Sequence, residues 1–120
     1  MKKILIIDDE DRIRDIYLRL FVHAGIVVRR AKDARQATNI IIREDIDLIL
    51  LDIKMPVING RTMYEIIEEY NPKAKVIISS VYPIDKQRML VPHASGYYDK
   101  SEGPLKLLEM VLNSLMQETV

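Results

Sequence analysis

The chain has no cysteine, no tryptophan, only four glycines, and no excess of either charge: 18 Lys and Arg stand against 18 Asp and Glu in 120 residues. Without cysteine there is no disulfide framework, no thiolate metal site and no thiol nucleophile. With so few glycines, no Gly-x-Gly-x-x-Gly follows the first predicted strand, which argues against a nucleotide-binding α/β protein. A zero net charge lacks the basic footprint of nucleic-acid contact, so no direct nucleic-acid partner is expected. No apolar run approaches the roughly 18 residues that would suggest a bilayer span, so no membrane partner is expected either. Met1-Lys2-Lys3 resembles the start of an export signal, but only Ile4 to Ile7 follow before the acidic run Asp8-Asp9-Glu10-Asp11. That core is too short for a signal peptide, and a cytoplasmic location is the expectation.

What the chain does have is regular punctuation. Hydrophobic residues make up 48% and charged residues 30%, and the length suits one domain, 1–120, with one core and room for one site. Lys3-Ile4-Leu5-Ile6-Ile7 and Leu48-Ile49-Leu50-Leu51 are uninterrupted aliphatic runs, the pattern of strands buried on both faces of a parallel sheet. Ile26-Val27-Val28, Val76-Ile77-Ile78-Ser79-Ser80 and Ser95-Gly96-Tyr97-Tyr98-Asp99 read as three more strands. Between them the period changes to that of a helix. Ile13, Ile16, Tyr17, Leu20 and Phe21 form one apolar stripe, with Arg12, Arg14, Asp15 and Arg19 opposite and Gly25 as the stop. Ala34, Ala37, Thr38 and Ile41 form the next stripe, after an Asp33/Gln36 capping signal. Met63, Ile66, Ile67 and Tyr70 follow Gly60. Leu105, Leu108, Val111, Leu112 and Leu115 follow Gly103-Pro104. Pro83 and Pro92 bracket only Ile84–Val91, so a helix there is short or irregular.

Five β-α units predict a doubly wound five-stranded parallel sheet with about five helices joined by right-handed crossovers. The common flavodoxin-like order 2-1-3-4-5 makes strands one and three neighbours across the switch point. Asp8, Asp9 and Asp52 then converge at one crevice from two distant strand ends. At ~4 Å and an effective dielectric of ~20, each carboxylate pair repels by about 4 kcal/mol. A hard cation such as Mg²⁺ relieves this and reaches a phosphate oxygen. An ordinary alternative is that Asp8 to Asp11 form a solvated helix start and Asp52 a loop former. With a cation in place, Asp52 is a candidate nucleophile toward phosphorus. Ser80 and Lys100, both at strand ends, are candidates to meet the equatorial oxygens.

Ile-Ile-Asp8-Asp9-Glu10, Asp52-Ile-Lys-Met-Pro-Val-Ile-Asn-Gly60, Val-Ile-Ile-Ser-Ser80 and Gly96-Tyr97-Tyr98-Asp99-Lys100 together resemble the receiver (CheY-like) domain of bacterial two-component response regulators, over essentially the whole chain. The resemblance implies that Asp52 accepts a phosphoryl group from a sensor histidine kinase or a phosphotransfer protein. It implies a Mg²⁺ site formed by Asp9, Asp52 and the Lys54 carbonyl, with Asp8 assisting through water. It makes Ser80 the switch hydroxyl, Tyr97 an aromatic rotamer switch and Lys100 the phosphate-pairing lysine. Lys54 and Tyr82 become the residues that tune hydrolysis, in a combination that goes with slow loss. Met55-Pro56 and Asn59-Gly60 would shape the neighbouring loop.

It further implies a signalling module with only self-catalysed phosphorylation and dephosphorylation, a downstream output domain or protein, and a phosphorylation-dependent homodimer as an open option. The chain departs from the family pattern in having Ser101 where Pro usually follows the lysine, Val81 where Ala is common, and a short interval between Ser80 and Lys100. An aspartate-nucleophile phosphohydrolase is the competing reading. It usually needs a carboxylate two residues after the nucleophile, where this chain has Lys54.

Overall fold

The computed structural model describes residues 1–54 and 59–117. Strands β1 (Lys3–Ile7), β2 (Val27–Ala31), β3 (Leu48–Leu51), β4 (Lys75–Ser80) and β5 (Gly96–Asp99) alternate with helices α1 (Asp11–His23), α2 (Ala34–Arg43), α3 (Gly60–Tyr70), α4 (Ile84–Leu90) and α5 (Pro104–Met116). All strands are parallel, in the order β2-β1-β3-β4-β5. This is the doubly wound sheet expected from the alternation, including the short fourth helix between its prolines.

Successive strand residues point to opposite faces, and the aliphatic runs therefore feed two cores at once. Leu5, Ile7, Ile49, Leu51 and Ile78 pack with Ala37 and Ile41 of α2 and Met63 and Ile67 of α3. Ile4, Ile6, Leu48, Leu50 and Ile77 pack with Tyr17 and Phe21 of α1 and Leu107 and Val111 of α5. At about 1.5–3 kcal/mol for each fully buried Leu or Ile, β1 and β3 are the chief apolar anchors of the fold. The carboxyl ends of these two strands carry the acidic residues.

Local signals behave as the sequence suggests in most places. Asp33 caps α2 by accepting the Gln36 N–H, and Gln36 Oε1 accepts the Lys32 N–H in return. Gly25 adopts φ +80° just beyond α1, a conformation that favours glycine. Four details differ. β2 runs on through Arg29 and Arg30 to Ala31, because an edge strand tolerates charged side chains, here paired with Glu44 and Asp15. Tyr70 is exposed in the last turn of α3, and Asn71 turns inward instead. Ile16 lies at the margin of the α1 stripe and is exposed, whereas Arg14, expected on the solvent side, has its side chain only 11% exposed. On α5, Leu107 joins Val111 inside and Leu105 is exposed, because the chain enters through Gly103 at φ +89° and the first helical turn faces outward.

Candidate functional site

The backbone places the two key carboxylates side by side. Ile7 pairs with Leu51 in the β1–β3 ladder, and the next N–H, that of Asp52, donates to the Ile7 carbonyl (2.9 Å). Asp8, one residue on, donates its own N–H to Ala31 O (3.1 Å). Both carboxylates are buried, Asp8 at 2% and Asp52 at 4% exposure, while Asp9 is exposed. Carboxylate oxygens of all three lie within 4.8 Å of one another. Lys100 reaches in from the end of β5, its Nζ 2.8 Å from Asp8 Oδ2 and 3.4 Å from Asp52 Oδ2.

The free carboxylate oxygens are also held. Asp52 Oδ1 accepts the Lys54 N–H (2.9 Å), and Asp8 Oδ1 accepts the Glu10 N–H (3.0 Å). Arg14 secures the β1–α1 turn from below, donating to the Asp8 carbonyl (2.7 Å) and pairing with Asp11. Gly60 fits because a Cβ there would come within 2.2 Å of the Ile53 side chain and 2.9 Å of its Cα, directly beside Asp52. Asn59 caps α3 by accepting the Thr62 N–H. Met55 and Pro56, the other expected loop formers, lie outside the described residues.

One cation facing three carboxylates leaves the crevice electron-rich. Burial pushes the Asp52 carboxyl above its usual range, opposed by the Lys54 N–H and the Lys100 charge. Burial works against the Lys100 ammonium, but the hydrogen bond to Asp8 and the charges of Asp52 and Asp8 outweigh it, and its pKa is raised. The donor set is oxygen only, which fits a hard divalent ion and gives no foothold to a thiophilic one. Lys100 does not need a following proline to hold its place. The Asp99 carboxylate accepts the N–H and the hydroxyl of Ser101 (2.9 and 2.8 Å) and closes a single 3₁₀ turn, Lys100–Glu102, that the sequence did not announce.

β4 extends two residues past Ile78, the partner of Leu51, and so carries Ser79 and Ser80 alongside the chain leaving β3. Ser80 is fully buried, and its Oγ accepts the Tyr82 N–H (3.1 Å). Two ammoniums lie over the Tyr82 ring, with Lys86 Nζ 4.0 Å and Lys54 Nζ 5.5 Å from its centroid. Tyr97 is set apart from the carboxylates. Its hydroxyl donates to Val91 O (2.6 Å) and accepts the Ala94 N–H (3.2 Å), and the Arg88 guanidinium lies 5.3 Å from its ring.

Two polar groups escaped the sequence reading because both sit in apolar patterns. Tyr17 is part of the α1 stripe, yet its buried phenol, raised chiefly by burial, feels Lys100, Asp8 and Asp52. Ser79, on the same sheet face, is 1% exposed, and its Oγ has no hydrogen-bond partner among the described residues, yet it lies close enough to the Tyr17 phenol to oppose the upward push of burial there. The only signal available was a hydroxyl inside an otherwise aliphatic strand.

A doubly wound sheet with paired acids, a strand-end aspartate and an inserted lysine defines a recognisable class. The family model for the response regulator receiver domain matches residues 4–112, and the chain belongs to that family. The chain is 29% identical over 119 residues to the uncharacterized transcriptional regulatory protein YrkP of Bacillus subtilis, covering 98% of this chain and 51% of YrkP, and so spans about half the length of that relative. Among solved structures it resembles a CheY-like receiver domain protein of Methanospirillum hungatei, at 29% identity and a TM-score of 0.89 over 96% of this chain and 94% of that one. It also resembles the response regulator TrrA of Thermotoga maritima in complex with Mg²⁺-BeF, at 29% identity and a TM-score of 0.85 over 95% and 99% of the two chains. TrrA in complex with the histidine kinase ThkA superimposes with a TM-score of 0.81, at 28% identity and over 98% and 100% of the chains. No helix among the described residues is long and apolar enough to cross a membrane.

Proposed function

We propose that this receiver domain accepts one phosphoryl group on Asp52 from a phosphohistidine of a sensor kinase or phosphotransfer protein and thereby changes its surface for an output partner. The observation that carries this reading is the position of Asp52. Its carboxylate is buried at a parallel-strand end, with one oxygen fixed by the Lys54 N–H, the other 3.4 Å from the Lys100 ammonium, and two further carboxylates within 4.8 Å. In the transfer, an Asp52 oxygen forms the new bond to phosphorus while the P–N bond breaks and the imidazole departs with its electron pair. Lys100 neutralises charge on the equatorial oxygens, and Ser80 donates its hydroxyl hydrogen to one of them.

Asp9, Asp52 and the Lys54 carbonyl, with Asp8 through water, are the groups that would hold Mg²⁺, which supplies charge neutralisation between carboxylate and phosphoryl. Histidine-kinase pairing is supported by the TrrA–ThkA likeness. An aspartate-nucleophile hydrolase is disfavoured by the exposed Lys54, which stands where that chemistry would want a carboxylate acid/base.

Lys54 and Tyr82 make the acyl phosphate long-lived. Hydrolysis requires water to approach phosphorus opposite the Asp52 oxygen, and Lys54 and Tyr82, two residues after Asp52 and Ser80, have side chains long enough to cover that approach. The reaction itself is tested by incubating the protein with acetyl phosphate or a phosphohistidine donor and Mg²⁺ and locating the label by mass spectrometry. One phosphoryl group on Asp52, absent from Asp52→Asn, is expected. Label on another residue, or undiminished labelling of the variant, overturns the reading.

A further inference from the structure

Helix α4 is attached to the domain in an unusual way. Its seven residues lie between two prolines, it has no side-chain N-cap, and its single buried residue is polar: Gln87, at 0% exposure. The hydrophobic residues Met89 and Leu90 on the same helix face solvent. An amphipathic helix normally docks by an apolar stripe, which resists small displacements only weakly and in no particular direction. α4 docks instead through two directional hydrogen bonds from one amide group. Gln87 Nε2 donates to Tyr82 O (2.8 Å) and to Tyr98 O (2.9 Å).

Those two carbonyls belong to the two strand ends that serve the site. Tyr82 lies two residues after Ser80 and binds Ser80 Oγ through its own N–H, while Tyr98 lies two residues before Lys100. Ser80 Oγ, the Tyr82 backbone and the Gln87 amide are thus linked in series from the rim of the crevice to the helix. At the far end of α4, Val91 donates its N–H to Gln87 O and accepts the Tyr97 hydroxyl. Gln87 Oε1, by contrast, is buried with no donor among the described residues. A buried amide with both donor hydrogens engaged and its acceptor idle is a poor stabilising device and a specific positional one.

We infer that Gln87 is the positioning residue that ties α4 to the Ser80–Tyr82 segment, so that a change of Ser80 on phosphorylation of Asp52 is passed to α4 and Tyr97 through its side-chain amide. The inference rests on the phosphoacceptor reading above. When rotation about χ1 carries Ser80 Oγ toward a phosphoryl oxygen, the hydrogen bond that it accepts from the Tyr82 N–H must lengthen or follow. Tyr82 O moves with this segment, and the helix follows because Gln87 is the one residue of α4 that is buried.

The test uses ¹⁵N-labelled protein with Mg²⁺ and beryllofluoride, read by amide and side-chain NH₂ resonances. In the wild type, the Gln87 NH₂ pair is expected to shift strongly on addition, together with Ile84–Leu90 and Tyr97. In Gln87→Met, which keeps the volume and removes both donors, Asp52-loop shifts and labelling by acetyl phosphate are expected to persist, while most of the shift over Ile84–Leu90 and Tyr97 is lost. If Gln87→Met responds like the wild type at α4, or if the wild-type Gln87 NH₂ pair stays unmoved while the Asp52 loop shifts, the inference is overturned. The wild-type arm decides even if the variant does not fold. If no resonance near Asp52 moves in the wild type, the phosphoacceptor reading itself has failed and takes the inference with it.

Discussion

Removing Asp9 should make the metal-free protein more stable and the Mg²⁺-bound protein less so. Its carboxylate shares a 4.8 Å cluster with those of Asp8 and Asp52, and the nearby ammonium of Lys100 is committed to the latter two. At that separation each like-charge pair costs about 1 kcal/mol in water-like surroundings and about 3.5 kcal/mol at an effective dielectric of ~20. Asp9 is exposed, so the lower figure is the better guide, and its two pairs together amount to about 2 kcal/mol. For a domain of this size, Asp9→Ala should therefore raise the metal-free Tm by roughly 5–10 °C. Mg²⁺ well above its Kd reverses the order, because ligand at a hundred times Kd stabilises the wild type by about 2.7 kcal/mol, more than the repulsion it relieves, and the variant has lost a ligand. The assay is thermal unfolding followed by circular dichroism, in EDTA and in millimolar Mg²⁺. A metal-free Tm that is unchanged or lower in Asp9→Ala, or an equal Mg²⁺-induced rise in both proteins, would refute the picture of mutually repelling carboxylates relieved by a cation.

The pH dependence has an unusual sign. Because burial raises the Asp52 carboxyl in the folded state above the ordinary value of 3.8, the metal-free native protein binds that proton more tightly than the unfolded chain. Stability from this group therefore increases as pH falls from the raised value toward 3.8, and denaturant titrations of Asp52→Asn should lack that component. Asn71→Ala should cost about 2–4 kcal/mol and lower the urea midpoint without changing the phosphorylation site. Its side chain donates to Ile41 O (2.6 Å) and Glu44 O (3.0 Å) and accepts from Ile46 N (3.2 Å), so it joins the end of α2 to the entry of β3. The wild-type phosphorylated form should last minutes to hours, and combining Lys54→Asn with Tyr82→Ala should shorten that lifetime at least several-fold; a wild type that decays within seconds, or phosphate release from the variant no faster than from the wild type, would remove the shielding argument.

The five β-α units are legible along the chain, because uninterrupted aliphatic runs, capping residues and prolines act locally and their signals do not depend on distant partners. It also named the carboxylates and Lys100, since chemically costly residues at strand ends stand out against an apolar background. It could not orient them. That Lys100 pairs with Asp8 more closely than with Asp52 follows from a 3₁₀ turn closed by Asp99 and Ser101, a contact between side chain and backbone that leaves no periodic trace. Nor could periodicity see which residue of α4 goes inside. A seven-residue helix offers too few turns to define a stripe, and its buried position is taken by Gln87 only because the carbonyls of Tyr82 and Tyr98, remote in sequence from each other, open toward the same spot. The same holds for Arg14, a polar head on a long side chain that is drawn in by the Asp8 carbonyl and not by its helical phase, whereas Tyr17 is buried as its place in the α1 stripe requires and only the neighbours of its phenol were hidden from periodicity. Local patterns fix which elements form, whereas the pairing of buried polar groups is settled only when strands from distant parts of the chain lie next to one another.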